Sequence, residues 1–169
     1  MSKDKISKEI ESKFGNRLRC RVNGILIKDQ KILMIKHLMG NGRTLWTVPG
    51  GGMNYGESAI ENLIREFEEE TGLKVKIKAY LFVHEFIALP LHAMEHYFQV
   101  DLISGKLSVG TDPELDADSQ IIKEIKWMGI EELRSLPNEA LHQIFWGIKS
   151  LEDLVLFRGY FNFENNSLK

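Results

Sequence analysis

The sequence is poor in cysteine and carries no marked excess of charge of either sign. Cys20 is the only cysteine among 169 residues, so no disulfide can form within the chain, and we expect a cytoplasmic protein. Its neighbours favour a strand, in which we expect Cys20 to be buried. The formal net charge of -2 at pH 7 leaves no basic surface of the kind that binds duplex nucleic acid. We therefore expect no nucleic-acid partner.

Long apolar runs are also missing. Residues 1–17 are charged throughout and lack the apolar segment of a signal peptide. No run of about eighteen apolar residues, the length that a membrane-spanning helix needs, occurs anywhere in the chain. We therefore expect no membrane association.

Length and composition favour a single domain over residues 1–169. The apolar fraction of 43% and the charged fraction of 27% are ordinary for a globular protein. We place the core of this domain at about residues 18–147. The segment 151–169 has aromatic side chains but no motif, so an edge strand, a homodimer contact and a lid are all open, with core packing the simplest role.

Alternating patterns of β-branched, aromatic and polar residues predict the elements. Strands are predicted at residues 18–28, 31–37, 43–48, 75–86, 92–103 and 121–128, with tight turns at Asp29-Gln30 and Leu89-Pro90. Helices are predicted at residues 6–14, 58–71, 130–135 and 138–147. Strands on both sides of a central helix predict an α/β fold with a mixed β-sheet covered on two faces.

The central helix, residues 58–71, is crowded with carboxylates in its last turns. Ser58 and Glu61 fit a capping box at its start, and Gly72 fits the left-handed position that closes a helix. Acidic residues three and four apart repel each other, and near a helix C-terminus they also oppose the helix dipole. A positive charge must offset this repulsion, and a hard divalent cation is the best candidate.

The side chains of this helix divide into two strips when about 100° of rotation is allowed per residue. One strip is acidic and consists of Glu66, Glu69 and Glu70. The other is apolar and consists of Ile60, Leu63, Ile64 and Phe67. Glu61 and Glu68 belong to neither strip, and we expect both to face solvent.

The residues from Gly51 to Leu73 resemble a known family motif. Their pattern is G-x5-E-x7-R-E-U-x-E-E-x-G-U, in which U is a bulky apolar residue, and this is the Nudix box. Phe67 is aromatic where the family more often has an aliphatic residue. The resemblance implies a Nudix-type α/β/α sandwich and a metal-dependent hydrolase of pyrophosphate bonds.

The resemblance also implies roles for individual residues. It makes Glu66, Glu69 and Glu70 ligands of Mg²⁺ or Mn²⁺, together with the backbone carbonyl of Gly51. Oxygen donors of this type are the ones that magnesium prefers. Catalytic roles are implied for Glu66, Glu69 and Arg65. The residues that would support the box are Glu57, which would form a salt bridge with Arg65, and the glycines Gly52 and Gly72.

The motif does not identify the general base or the phosphate-binding residues. Glu69 competes for the role of base with Glu124 and with the acidic residues of segment 111–118. Lys36 and Arg43, just before the box, are candidates for binding substrate phosphate. The spacing of the histidines in segment 84–96 does not predict a zinc site.

Two functions of different classes stay open. The first is hydrolysis of a nucleoside diphosphate linked to another moiety, which includes nucleoside triphosphates, ADP-ribose and nucleotide sugars. The second is a non-catalytic nucleotide-binding or regulatory module. The first is favoured because every glutamate of the box is present together with Arg65. The expected partner is a small nucleotide in either case.

Overall fold

A computed structural model of the protein describes residues 3–39, 42–110 and 120–162. The helices within these ranges are α1 (Lys3–Phe14), α2 (Ala59–Thr71), α3 (Ile130–Ser135) and α4 (Glu152–Leu156). The strands are β1 (Arg17–Ile25), β2 (Ile27–Lys28), β3 (Lys31–Leu38), β4 (Thr44–Thr47), β5 (Gly50–Gly52), β6 (Leu73–Ala88), β7 (Leu91–Gly105), β8 (Ile122–Met128) and β9 (Gly159–Phe161). The predicted loop of acidic residues at 111–118 lies outside the described ranges.

The described strands form two sheets. The first has the order β5-β1-β7-β6-β9 and is mixed, because β1 runs parallel to β7 and β9 runs parallel to β6. The second is antiparallel and contains β2, β3, β4 and β8. The predicted α/β class and mixed sheet are confirmed. The prediction of one strand over 18–28 is wrong, because the chain leaves the first sheet at the buried Leu26 and enters the second at β2.

Two groups of buried apolar side chains stabilise the fold. In one group, Leu63 and Phe67 of α2 pack with strand residues such as Val22, and Gly24 lets the Phe67 ring lie close to β1. The larger group lies around Phe82 and Tyr97 and includes residues of α3, α4 and the segment between them. Ile60, predicted for the apolar strip, is 49% exposed because it lies in the first turn of α2, and the buried strip begins at Leu63.

The predicted helix at 138–147 is wrong. The chain there forms two short 3-10 turns, Asn138–Ala140 and Gln143–Phe145, separated by extended residues. The backbone N–H of His142 donates to the carbonyl of Trp46 at 2.9 Å, and Leu141 forms a β-bridge with the same residue. This pairing with β4 keeps the chain extended and interrupts the helix.

The structure also revises the prediction for Cys20 and describes the C-terminal segment. Cys20 is exposed rather than buried, and its Sγ lies 3.3 Å from the Sδ of Met53. The edge strand that was one alternative for the C-terminal segment is present as β9, and Phe157 and Phe161 both contact the buried ring of Phe82. No helix among the described residues is long and apolar enough to span a membrane.

Candidate active site

The helix α2 begins and ends as its sequence predicts. Ser58 Oγ accepts a hydrogen bond from the N–H of Glu61, and Glu61 Oε2 accepts one from the N–H of Ser58, which completes the capping box. Gly72 closes the helix with φ of 72°, in the left-handed region. These caps define the first and last turns of α2.

The acidic strip of α2 meets β5 at the glycines. Glu66 and Glu70 are buried, and the N–H of Gly50 donates to Glu70 Oε2 at 2.8 Å. A Cβ atom on Gly51 would lie 2.3 Å from Cδ of Glu66, so only glycine allows the strand and this carboxylate to approach each other. Glu69, the third acid of the strip, is about one-third exposed. The predicted strip therefore divides into two buried acids and one at the surface.

Arg65 links the glutamates of the box. Its guanidinium donates to both oxygens of Glu57, to Glu69 Oε2 at 2.8 Å and to Glu66 Oε1 at 3.1 Å. The hydrogen bonds with Glu57 raise the pKa of Arg65, and they lower the pKa of the Glu57 carboxyl. The predicted salt bridge between Glu57 and Arg65 is therefore present, and one cation offsets part of the repulsion among three carboxylates.

A cavity opens in front of Glu66 and Glu70. Its lining includes all three glycines of β5 and, from the neighbouring strand β1, Arg19 and Arg21. The apolar part of the lining includes Ile10, Phe14, Leu45, Phe86, Leu91 and Ile121. Glu66 and Glu70 form the acidic end of the cavity, and two arginines on β1 lie in its wall.

His37 lies at the acidic end of this cavity. Its Nε2 is 3.9 Å from Glu70 Oε1. Burial and the positive charge of Arg21 lower the pKa of His37 to about 3. His37 is consequently neutral at physiological pH, and it faces the glutamates without adding a positive charge.

The other predicted site residues lie around the cavity or away from it. Gly52 lines the cavity, and its carbonyl accepts a hydrogen bond from Asn62. Lys36 and Glu124 face each other on β3 and β8 and form an ion pair of 3.6 Å, and neither is among the residues that line the cavity. Arg43 is exposed just before β4.

The sequence does not predict a buried polar cluster that forms part of the cavity wall. This cluster consists of His84, Glu95 and His142, whose potential ligand atoms lie within 4.8 Å of one another. Glu95 and His142 also line the cavity. No local spacing signals this group, because its members lie on β6, on β7 and before a 3-10 turn. The only signal was a glutamate at an inward position of a predicted strand.

The acidic end of the cavity suits a hard divalent cation. Glu66 and Glu70 supply carboxylate oxygens from one face of α2, and Gly51 permits close backbone approach from the other side. Magnesium binds such oxygen donors through one or two carboxylates and keeps its remaining positions for water and substrate phosphate. The donor set therefore fits Mg²⁺ or Mn²⁺.

Comparison with known proteins identifies the family. The NUDIX domain model matches residues 18–146, so the chain belongs to the NUDIX domain family, as its box predicts. An ADP-ribose pyrophosphatase of Methanocaldococcus jannaschii is 38% identical over 93 residues, which are 54% of this chain and 55% of that protein. Nudix hydrolase 6 of Arabidopsis thaliana is 30% identical over 120 residues, 70% of this chain and 41% of that protein. The chain thus spans about half the length of these relatives.

Solved structures share the fold. A UDP-X diphosphatase superposes with a TM-score of 0.65 at 20% identity, covering 95% of this chain and 76% of the other. A MutT NUDIX hydrolase from Burkholderia pseudomallei gives 0.59 at 24% identity, covering 72% of this chain and 88% of the other. At this level of sequence identity, the similarity shows a shared arrangement of helices and strands.

Proposed function

We propose that the protein hydrolyses a pyrophosphate bond in a nucleoside diphosphate linked to another moiety, with Mg²⁺ or Mn²⁺ as cofactor. The observation that carries this proposal is the convergence of the buried carboxylates of Glu66 and Glu70 with Gly51 in the wall of one cavity. Buried carboxylates are generally paired with a cation or bound to a metal ion. They suit a site that holds a cation and a phosphate chain.

In this proposal Glu66, Glu70 and the carbonyl of Gly51 hold the ion, with Glu69 as a further ligand. The bound cation would neutralise charge on the phosphate oxygens and lower the pKa of a water molecule. Arg65 keeps Glu66 and Glu69 in place through the hydrogen bonds described above. Attack by water on one phosphorus and departure of the other phosphate would then complete the hydrolysis.

The general base that takes the proton from this water is Glu69, Glu124 or one of the acidic residues of segment 111–118. Glu69 is adjacent to the ion site but is hydrogen-bonded to Arg65. Glu124 is paired with Lys36 on the second sheet. Replacing Glu69 and Glu124 in turn with glutamine separates these two at saturating Mg²⁺. Loss of the base should lower kcat by about 100-fold or more and leave KM little changed, whereas loss of a metal ligand should raise the Mg²⁺ concentration that activity requires.

The apolar lining of the cavity supports a nucleoside as part of the substrate. Aromatic and aliphatic side chains such as Phe86 and Leu91 line the same cavity as the glutamates. A relative of the chain is named an ADP-ribose pyrophosphatase. ADP-ribose, nucleotide sugars and nucleoside triphosphates therefore form the substrate panel, and Lys36 and Arg43 stay proposed phosphate contacts.

The test is a hydrolysis assay on this panel with Mg²⁺, with Mn²⁺ and with neither ion. We expect release of a nucleoside monophosphate or of inorganic phosphate from at least one compound, only with metal. Glu70→Gln should lower this activity by at least about 100-fold, because it removes a charged ligand. Glu68→Gln, on the exposed face of the same helix, is the matched control and should leave activity unchanged. Nucleotide binding without turnover would instead support the non-catalytic module.

A further inference from the structure

Glu95 lies at the centre of the buried cluster in the cavity wall. Its Oε2 is 2.8 Å from Nε2 of His142 and 3.1 Å from Nδ1 of His84, and it accepts a hydrogen bond from the hydroxyl of Tyr97 at 3.2 Å. Three polar groups from three parts of the chain therefore surround one carboxylate oxygen. Such an arrangement holds a carboxylate rigidly.

Close polar contacts hold the Glu95 carboxylate in this cluster. His142 Nε2 faces Glu95 Oε2, and the other ring nitrogen, Nδ1, accepts from the N–H of Ile144 at 3.4 Å. Glu95 itself is a poor general base, because a carboxylate that already accepts several hydrogen bonds is stabilised in its charged form.

The second oxygen of Glu95 faces Arg21. These two residues are directly opposite each other on the parallel strands β1 and β7, and Nε of Arg21 is 3.8 Å from Glu95 Oε1. An Nη of Arg21 also lies 3.4 Å from the carbonyl of Gly50, whose N–H donates to Glu70. Arg21 therefore stands between a fixed carboxylate and the glycine strand beside the acidic end of the cavity.

Arg21 differs from the other arginine that lines the cavity. Arg19 lies with its guanidinium 4.2 Å from the centre of the Phe14 ring, a contact with helix α1. Arg21 is held by Glu95 and Gly50 on the side of the glutamates. A guanidinium has five N–H donors, and these two contacts leave donors for a ligand.

We propose that Arg21 binds a phosphate group of the substrate, and that Glu95 is a positioning residue that holds the guanidinium toward the glutamate end of the cavity. This proposal rests on the pyrophosphatase function proposed above. Arginine recognises phosphate oxygens through two parallel hydrogen bonds, which require a fixed guanidinium. His84, Tyr97 and His142 supply that rigidity indirectly, through Glu95.

The first test compares Arg21→Ala with the wild type on the best substrate of the panel. We expect KM to rise by roughly 10- to 100-fold, since a charged hydrogen bond to phosphate is lost. Added guanidinium at millimolar concentration should restore part of the activity of Arg21→Ala, whereas sodium at the same ionic strength should not. Arg158→Ala, which alters an exposed arginine far from the cavity, is the control and should behave as wild type. Unchanged KM in Arg21→Ala would overturn the proposal.

The second test is a double-mutant cycle between Arg21→Ala and Glu95→Gln. Because Glu95 acts through Arg21, we expect Glu95→Gln to raise KM about 10-fold in the wild-type background and less than about twofold in Arg21→Ala. Equal effects in both backgrounds would show that Glu95 acts independently and would refute its positioning role. Tyr97→Phe, which removes a single hydrogen bond, replaces Glu95→Gln if the latter does not fold by circular dichroism.

A binding measurement distinguishes failure of this inference from failure of the proposed function. Calorimetric titration of inorganic pyrophosphate with Mg²⁺ requires no turnover. Weaker binding by Arg21→Ala than by wild type supports the phosphate contact even if no nucleotide is hydrolysed. Equal binding by the two proteins refutes the contact, whichever substrates the wild type cleaves.

Discussion

Glu66 and Gly51 are packed so closely that each restricts the other. A methyl group on residue 51 would overlap the Glu66 carboxylate, with 2.3 Å between Cβ and Cδ. We therefore predict that Gly51→Ala displaces Glu66 and lowers the apparent affinity for Mg²⁺ by roughly 10- to 100-fold. The dependence of activity on Mg²⁺ concentration measures this. Gly129→Ala, where the added Cβ meets nothing closer than 4.0 Å, should match wild type. An unchanged Mg²⁺ dependence in Gly51→Ala would contradict the prediction.

A second prediction at the residue scale concerns pH. The pKa of His37 is lowered to about 3, below its ordinary value near 6.5. As pH falls below 6.5, the unfolded chain takes up a proton at this residue while the folded chain does not, so the folded state loses stability. This loss reaches about 1.4 kcal/mol per pH unit.

The measurement is urea denaturation of wild type and His37→Asn in the presence of a chelator. Between pH 7.5 and pH 5.0, the free energy of unfolding should fall by roughly 2 kcal/mol more in wild type than in the variant, since only wild type carries the histidine. The same fall in both proteins would show that His37 is protonated in the folded state as readily as in the unfolded state.

The residues of the site differ in how readily the sequence reveals them. Glu66 and Glu70 could be predicted because both lie on one helix, where spacing fixes direction. The contact between Arg21 and Glu95 depends on parallel pairing of two strands that are distant in the sequence. No local pattern specifies that register, so their proximity emerges only from the folded chain.

At the scale of elements, the start of α2 depends on the capping box. Ser58→Ala removes the hydroxyl that accepts from the N–H of Glu61, and we predict a loss of about 1 kcal/mol in the free energy of unfolding. Ser58→Thr keeps an accepting hydroxyl and should lose little. Chemical denaturation at pH 7 compares the three proteins. A loss as large in Ser58→Thr as in Ser58→Ala would assign the effect to something other than the cap.

Helices and strands also differ in whether local residues or distant pairing determine them. The helix α2 follows its prediction to within one residue, since Ser58 and Gly72 mark its ends in the sequence itself. Segment 138–147 has the composition of a helix, but β4 pairs with it and keeps His142 extended. The sequence of this segment alone does not reveal that it pairs with a strand more than ninety residues earlier instead of forming a helix.

At the scale of the whole molecule, the C-terminal strand β9 extends the first sheet and covers part of the core. The ring of Phe161 lies 5.6 Å from that of Phe82 and 5.2 Å from that of Phe157. We predict that Phe161→Ala lowers the free energy of unfolding by roughly 1–3 kcal/mol, less than for a fully buried phenylalanine. Because Phe161 is not among the cavity-lining residues, kcat/KM should stay unchanged.

Thermal and urea denaturation, together with the hydrolysis assay, check this prediction. Tyr160→Phe, on the same strand but exposed, is the control and should lose little stability. A fall in kcat/KM with unchanged stability would reverse the interpretation, because it would give β9 a role in catalysis rather than in packing.

The parallel pairing of β1 with β7 has a consequence for the synthesis of the chain. Every glutamate of the box precedes residue 71, but the cavity in front of them needs Phe86, Leu91 and Glu95, which the ribosome adds later. A nascent chain that ends before β7 would carry the whole box on a capped helix and still lack part of the pocket wall. The pocket would therefore be completed late in synthesis, once β7 has emerged and paired with β1.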